Sequence, residues 1–225
     1  MEKHHAKKKG LEVEAYNRDI EYWNTYYSTK KLGFENQSLF AEFVIQDLEA
    51  EKSLLELGCG NGRDSLYFAK NGIYVTAIDA SDKAISLLNT HFRLRTAQFI
   101  CGDFVESEEI YQKQYDYCYS RFTWHSITQE QETNLLYNLQ RAIKSNGRLF
   151  IEARSIHDDI FGEGCNVGEN AYIYNDHFRR FIDMHQLTEK LVRFGFSIKS
   201  AQEGRGFAPY KEEDPVLIRI EAIKG

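Results

Sequence analysis

Ser53-Leu54-Leu55-Glu56-Leu57-Gly58-Cys59-Gly60-Asn61-Gly62 decides how this chain folds. Ser53 to Leu57 is a short apolar run and reads as a strand; it stops in glycines at alternate positions, which let the backbone pass close to a ligand at the strand's carboxyl end. A helix opens after Gly62, turns Leu66 and Ala69 inward and stops at Asn71-Gly72. The β-rich run Ile73-Tyr74-Val75-Thr76-Ala77-Ile78 follows and ends in Asp79. The unit is β-α-β.

Outward from this unit the alternation continues. The periodicity predicts a helix from about Asp82 to Phe92, strands over 97–101 and 115–119, and a long helix from Gln129 to Lys144. That helix carries Leu135, Leu139, Ala142 and Ile143 on one face, and Asn146-Gly147 separates it from a strand over 148–153. A last helix over 186–194 precedes strands near 196–201 and 215–223, which lack an intervening helix and read as an antiparallel hairpin at one edge. Strands alternating with helices imply a parallel, doubly wound sheet. Residues 1–15 read as a disordered tail, 16–50 as an aromatic-rich helical cap, and 154–185 as a substrate-side insertion, all within a single domain spanning 1–225.

The 225 residues, 42% hydrophobic and 28% charged, lie in the ordinary globular range and allow one substantial core. Lys and Arg number 28 against 34 Asp and Glu, and this net charge of -6 argues against attachment to nucleic acid by bulk charge. An anion-binding site must therefore be local. Cys59, Cys101, Cys118 and Cys165 form no C-x-x-C pair, so neither a zinc ribbon nor a disulfide framework is indicated, and reduced thiols of a cytoplasmic protein are the plain reading. No apolar run approaches the roughly 20 residues that span a bilayer, and the basic start over 3–9 is followed by no signal-peptide core. The expected partners thus exclude nucleic acid and membrane, and the expected assembly is a monomer or homodimer. His157, Asp158, Asp159, Cys165, His177 and His185 share the insertion at spacings that match no zinc motif, so no metal is expected.

The glycine loop implies a nucleotide-like cofactor, but not NAD. In a G-x-G-x-x-G pattern the last glycine would fall on Arg63, counted from Gly58, or on Ser65, counted from Gly60. What remains is Glu56 two residues before the first glycine, Asp79 after the second strand to accept from ribose hydroxyls, and Asp103 after the third to accept from an adenine amino group. On these residues and their order the chain resembles a class I S-adenosylmethionine-dependent methyltransferase over roughly 53–153. The loop Gly58-Cys59-Gly60-Asn61-Gly62-Arg63-Asp64-Ser65-Leu66-Tyr67 is similar to that of tellurite-resistance-type methyltransferases. The resemblance implies a Rossmann-like, seven-stranded, mostly parallel sheet with one antiparallel edge strand in a three-layer α/β/α sandwich. It also implies S-adenosylmethionine as cofactor and S-adenosylhomocysteine as product. Glu56, Gly58, Cys59, Gly60 and Gly62 would contact the methionine moiety, Asp79 and Ala80 the ribose, and Asp103 with Phe104 the adenine. Tyr22, Tyr26 and especially Tyr27 would approach the sulfonium as the cap closes over it.

Substrates of open α/β sheets sit above the carboxyl ends of the strands. There the sequence places Arg121 and His125 after the fourth strand, Arg154 after the fifth, Arg179 and Arg180 in the insertion, and Arg205 in a late loop. Arginine forks match carboxylate and phosphate oxygens, so a small anionic acceptor is expected: a phosphate, phosphonate, phosphoramidate or carboxylate group, in natural-product or surface-polysaccharide synthesis. An oxyanion needs orientation rather than a base, whereas a hydroxyl would need His125 to take its proton. The plainer alternative has these arginines pairing with Glu152, Asp158, Asp159, Glu163, Asp176 and Asp183 to fasten the insertion, with His125 a buried hydrogen-bonding residue. An RNA or protein methyltransferase is the competing activity, disfavoured by Ser120-Arg121-Phe122-Thr123 where such enzymes carry an Asn/Asp-Pro-Pro-Tyr type motif. A non-catalytic cofactor-binding module is the other alternative.

Overall fold

In a computed structural model, which describes residues 24–25, 36–174 and 177–225, Ser53–Leu57 (β1) is an interior strand of the main sheet. Tyr74–Asp79 (β2), Ala97–Cys101 (β3), Tyr115–Arg121 (β4) and Ile143–Arg154 (β5) run parallel to it. Phe196–Gly204 (β9) and Leu217–Lys224 (β10) complete seven strands in the order β3-β2-β1-β4-β5-β10-β9. β10 is antiparallel to both neighbours, so the terminal hairpin occupies one edge with the reversed strand lying just inside β9.

Successive residues of a strand face opposite sides, and the core divides accordingly. Leu55, Leu57, Ile151 and Ile218 pack under Gln129–Ala142 (α5) and Met184–Arg193 (α6), through Leu135, Leu139, Leu187 and Leu191. Leu54, Val75 and Phe150 pack on the other side with Leu39–Ile45 (α1), Arg63–Lys70 (α2) and Asp82–His91 (α3), through Phe40, Val44, Phe68 and Leu88. A one-turn helix, Glu108–Tyr111 (α4), joins β3 to β4. Starts are fixed by side chains: Ser38 caps α1, Ser81 caps α3, Asp183 caps α6, and Thr128 with Gln131 forms a capping box on α5.

Two differences from the periodicity have local causes. α5 ends at Ala142, two residues before the expected Lys144, because Ile143 already has extended geometry and opens β5. Asn146 (φ 63°) and Gly147 then make an irregularity inside the strand, where a Cβ on Gly147 would meet the Asp116 carbonyl oxygen at 2.9 Å. The insertion, read without internal structure, contains Cys165–Gly168 (β6), Ala171–Tyr174 (β7) and His177–Arg180 (β8), paired antiparallel as a second small sheet. Four-residue strands broken by Gly164 and Gly168 give too short a pattern for periodicity to register. The expected tail, and the cap before residue 36 apart from Asn24 and Thr25, lie outside the described residues, and Tyr22, Tyr26 and Tyr27 with them.

Candidate active site

The glycine loop is pinned to the end of β2: the N–H groups of Gly58 and Cys59 both donate to the Ile78 carbonyl, at 2.8 and 3.1 Å. Gly58, Gly60 and Gly62 have φ of 69°, 52° and 73°, a backbone that side-chain-bearing residues rarely adopt. A Cβ at Gly58 would meet the Thr123 methyl at 2.2 Å, so the loop also seats against the segment leaving β4. The turn presents the Gly60 N–H to Asp79 Oδ2 at 2.8 Å, while Asp79 Oδ1 accepts from Ser81 N–H at 2.9 Å. Burial raises the Asp79 pKa against these two bonds. A cavity of about 560 Å³ opens here, walled on one side by Glu56, Cys59, Asp79, Ala80, Asp103 and Phe104. That size is ordinary for a small-molecule site.

Beneath the loop lies a polar cluster with two buried carboxylates. Ser65 Oγ donates to Glu56, whose pKa is pushed well up by burial and by the nearby charges of Asp64 and Asp79. Asp64 accepts from the Ser38 N–H and hydroxyl, each at 2.7 Å, and from the Tyr119 hydroxyl at 2.8 Å. Ser38 is also the α1 cap, so α1 is fastened directly to the glycine-loop helix. Cys59 is buried, and burial with the charges of Asp79 and Glu56 raises its thiol pKa well above the usual value, which keeps it a packing residue.

The opposite wall carries Arg121, Phe122, Thr123, Ser126, Ile127 and Arg154, from the ends of β4 and β5 and the 3-10 turn Trp124–Ser126. Arg121 Nε donates to Glu152 Oε1 at 2.9 Å, and its guanidinium lies 4.3 Å from the Phe122 ring centroid. Glu152 is fully buried and takes a second arginine, Arg219, whose Nε donates to Oε2 at 2.7 Å. Phe122 has φ 57°, a strained value for a bulky residue, held by its N–H donating to the Glu152 carbonyl at 2.8 Å. Arg154 Nη1 donates to both oxygens of Asp158, at 3.0 and 3.1 Å. Ala208, Pro209, Tyr210, Glu213 and Pro215, from the β9–β10 connection, form the mouth.

Of the expected cofactor residues, Glu56, Gly58, Cys59, Gly60, Asp79, Ala80, Asp103 and Phe104 share this one cavity, and Gly62 caps α2 beside it. Of the expected acceptor residues only Arg121 and Arg154 line it. Arg180 turns inward instead: its Nε donates to the Ile127 carbonyl at 2.8 Å and its Nη2 to Glu132, so it fastens β8 to α5. Arg205 donates to the Asp214 carbonyl and to Asp159 at the surface, and Arg179 lies opposite Tyr172 in the small sheet, also outside the wall. His125 is buried behind the wall, its Nδ1 without a hydrogen-bond partner. Burial, then Arg179, His177, Arg154 and Arg180, holds its pKa well below the usual value, so the ring is neutral. Sequence reasoning missed Ser38, Asp64, Tyr119 and Arg219. For Asp64 a signal existed, a carboxylate in the first turn after a glycine loop; Arg219 sits in a strand with nothing beside it to mark it.

The strand order, the reversed strand and a glycine loop facing an acidic strand end are those of the class I S-adenosylmethionine-dependent methyltransferases, to which this chain is similar. The methyltransferase domain family matches residues 54–147. The probable S-adenosyl-L-methionine-dependent methyltransferase TehB of Haemophilus influenzae is 26% identical over 153 residues, covering 66% of this chain and 54% of TehB. The chain thus spans about half the length of that relative. In fold it is similar to a SAM-dependent methyltransferase from Methanosarcina mazei, with a TM-score of 0.69 at 16% identity over 81% of this chain and 96% of that one. It is also similar to a TehB-like methyltransferase from Corynebacterium glutamicum, with a TM-score of 0.60 at 16% identity over 95% of this chain and 99% of that one. Among the described residues no helix is long and apolar enough to cross a membrane, and no cluster of three or more His, Cys, Asp or Glu could hold a metal ion.

Proposed function

We propose that the chain methylates an oxygen of a small anionic acceptor: a phosphate, phosphonate, phosphoramidate or carboxylate group. The observation that carries this reading is the pair of guanidinium groups, Arg121 and Arg154, that line the acceptor wall. Arg121 shares the Glu152 carboxylate with Arg219, and Arg154, paired with Asp158 and 3.7 Å from Glu213, stands in the same wall, so two guanidinium edges border the cavity. A guanidinium pair fits two oxygens of one anionic group.

The opposite wall fits the cofactor. Gly60 lets the backbone approach closely, and Asp79 keeps lone pairs for ribose hydroxyls beyond the two N–H bonds it accepts. Glu56 would take the methionine end, and Asp103 with Phe104 the adenine end, these three and Asp79 all lining the one cavity. When bound, S-adenosylmethionine would supply a sulfonium methyl to the acceptor oxygen and leave as a neutral thioether. Arg121 and Arg154 orient the acceptor oxyanion, which is already ionised and needs no proton removed. Such positioning is worth about 7–11 kcal/mol in well-aligned systems. A second reading, a hydroxyl acceptor, would need the neutral His125, whose Nδ1 is unengaged, to reach the cavity from its buried place behind the wall.

The test begins with calorimetric titration of S-adenosylmethionine and S-adenosylhomocysteine, followed by product detection on pooled anionic and neutral metabolites. Turnover on anionic acceptors, with Arg121→Gln and Arg154→Gln each raising the acceptor KM by about tenfold or more, supports the first reading. Turnover confined to neutral alcohols, abolished in His125→Gln, would replace it with the second.

A further inference from the structure

Glu152 is not only the partner of Arg121. In the main sheet Arg121, Glu152 and Arg219 stand directly opposite one another on β4, β5 and β10, a row of alternating charge across three strands. Both outer members donate Nε–H to the middle carboxylate, which is wholly buried. Arg219 also reaches a carbonyl and three aromatic rings. Its Nη2 donates to the Phe207 carbonyl at 2.9 Å, and its guanidinium lies 4.4 Å from the Phe207 ring centroid, 5.2 Å from that of Phe40 and 5.5 Å from that of Phe43. Phe207 opens the connection whose next residues, Ala208, Pro209 and Tyr210, form the cavity mouth, and Phe40 and Phe43 belong to α1, whose cap Ser38 lines the same cavity.

We infer that Arg219 is a positioning residue: through Glu152 it orients Arg121 toward the acceptor, and through Phe207 it holds the mouth loop over the same site, so that acceptor recognition and mouth order form one unit. The acceptor half rests on the anionic-acceptor reading; the mouth half does not. The geometry demands arginine, since a planar fork alone can serve a carboxylate with one edge, a carbonyl with another and aromatic rings with its faces. A lysine keeps the buried charge pair with Glu152 but gives up the carbonyl bond and the stacking.

Arg219→Lys and Phe207→Ala separate this role from folding, because neither removes the Glu152–Arg121 pair. Two measurements on the S-adenosylhomocysteine-bound protein read it: amide hydrogen exchange over residues 207–213, and calorimetric binding of inorganic phosphate as a probe of Arg121. Exchange about tenfold faster in both variants is expected, the scale of one charge-assisted contact, with phosphate affinity lower by a similar factor in Arg219→Lys and S-adenosylhomocysteine Kd within about twofold of wild type. Unchanged exchange in both variants would overturn the inference whatever phosphate does. Faster exchange with phosphate binding neither wild type nor variant would sustain the mouth clamp and sink the anionic-acceptor reading instead.

Discussion

At the scale of single residues, Glu56 couples the site to pH. Its folded pKa is raised by burial and by Asp64 and Asp79, so its contribution to stability is full below the unfolded value and is lost as pH rises through the folded one. Glu56→Gln removes that ionisation. Melting curves from pH 5 to 9 should show the variant losing less Tm than wild type toward high pH, and a steeper loss in the variant would contradict this account. Gly58 makes a different demand. Ala at this position meets both φ 69° and a methyl at 2.2 Å, and should cost about 1–3 kcal/mol in chemical denaturation while weakening S-adenosylmethionine binding. These residues were legible because a glycine run and strand-end carboxylates constrain the backbone locally. Arg219 and Tyr119 were not, since their importance arises only where β10 and β4 meet partners far away in the chain.

At the scale of elements, the insertion is held by a buried ion pair rather than by its own small core. Arg180 reaches Glu132, which Lys190 of α6 also contacts at 2.8 Å, so β8, α5 and α6 are locked through one carboxylate. Arg180→Met leaves that carboxylate with half its compensation and should destabilise the protein by about 3–5 kcal/mol in urea unfolding. Limited proteolysis should then cut first within residues 155–174, while S-adenosylmethionine Kd stays within about twofold of wild type, because Arg180 lies outside the cofactor cavity. The side-chain caps Ser38, Ser81, Thr128 and Asp183 come from the structure, whereas helices and central strands could be read from periodicity. Whether each arginine served the cavity or the scaffold could not, because pairing with Glu132 or Glu152 depends on register and crossover. Those are set by the packed sheet, not by neighbours in the sequence.

Across the whole molecule, an acidic chain of net charge -6 sets two guanidinium groups, Arg121 and Arg154, in one wall of its cavity. Attraction of an anionic acceptor to that wall is partly screened by salt, so its KM should rise several-fold between about 0.05 and 0.5 M ionic strength, and a flat salt profile would count against the anionic acceptor. The reversed strand carries a consequence in time rather than in space. β10 is the last described strand in the sequence, yet it lies between β5 and β9. Until it arrives, the growing chain holds β5 with Leu149, Phe150, Ile151 and Ala153 along an unpaired edge, and β9 has nothing to pair with. Sheet closure therefore waits on β10, which follows every other strand of the sheet in the sequence, and a nascent or truncated chain ending before Leu217 is a template for intermolecular strand pairing, a hazard that chaperone binding during synthesis would have to cover.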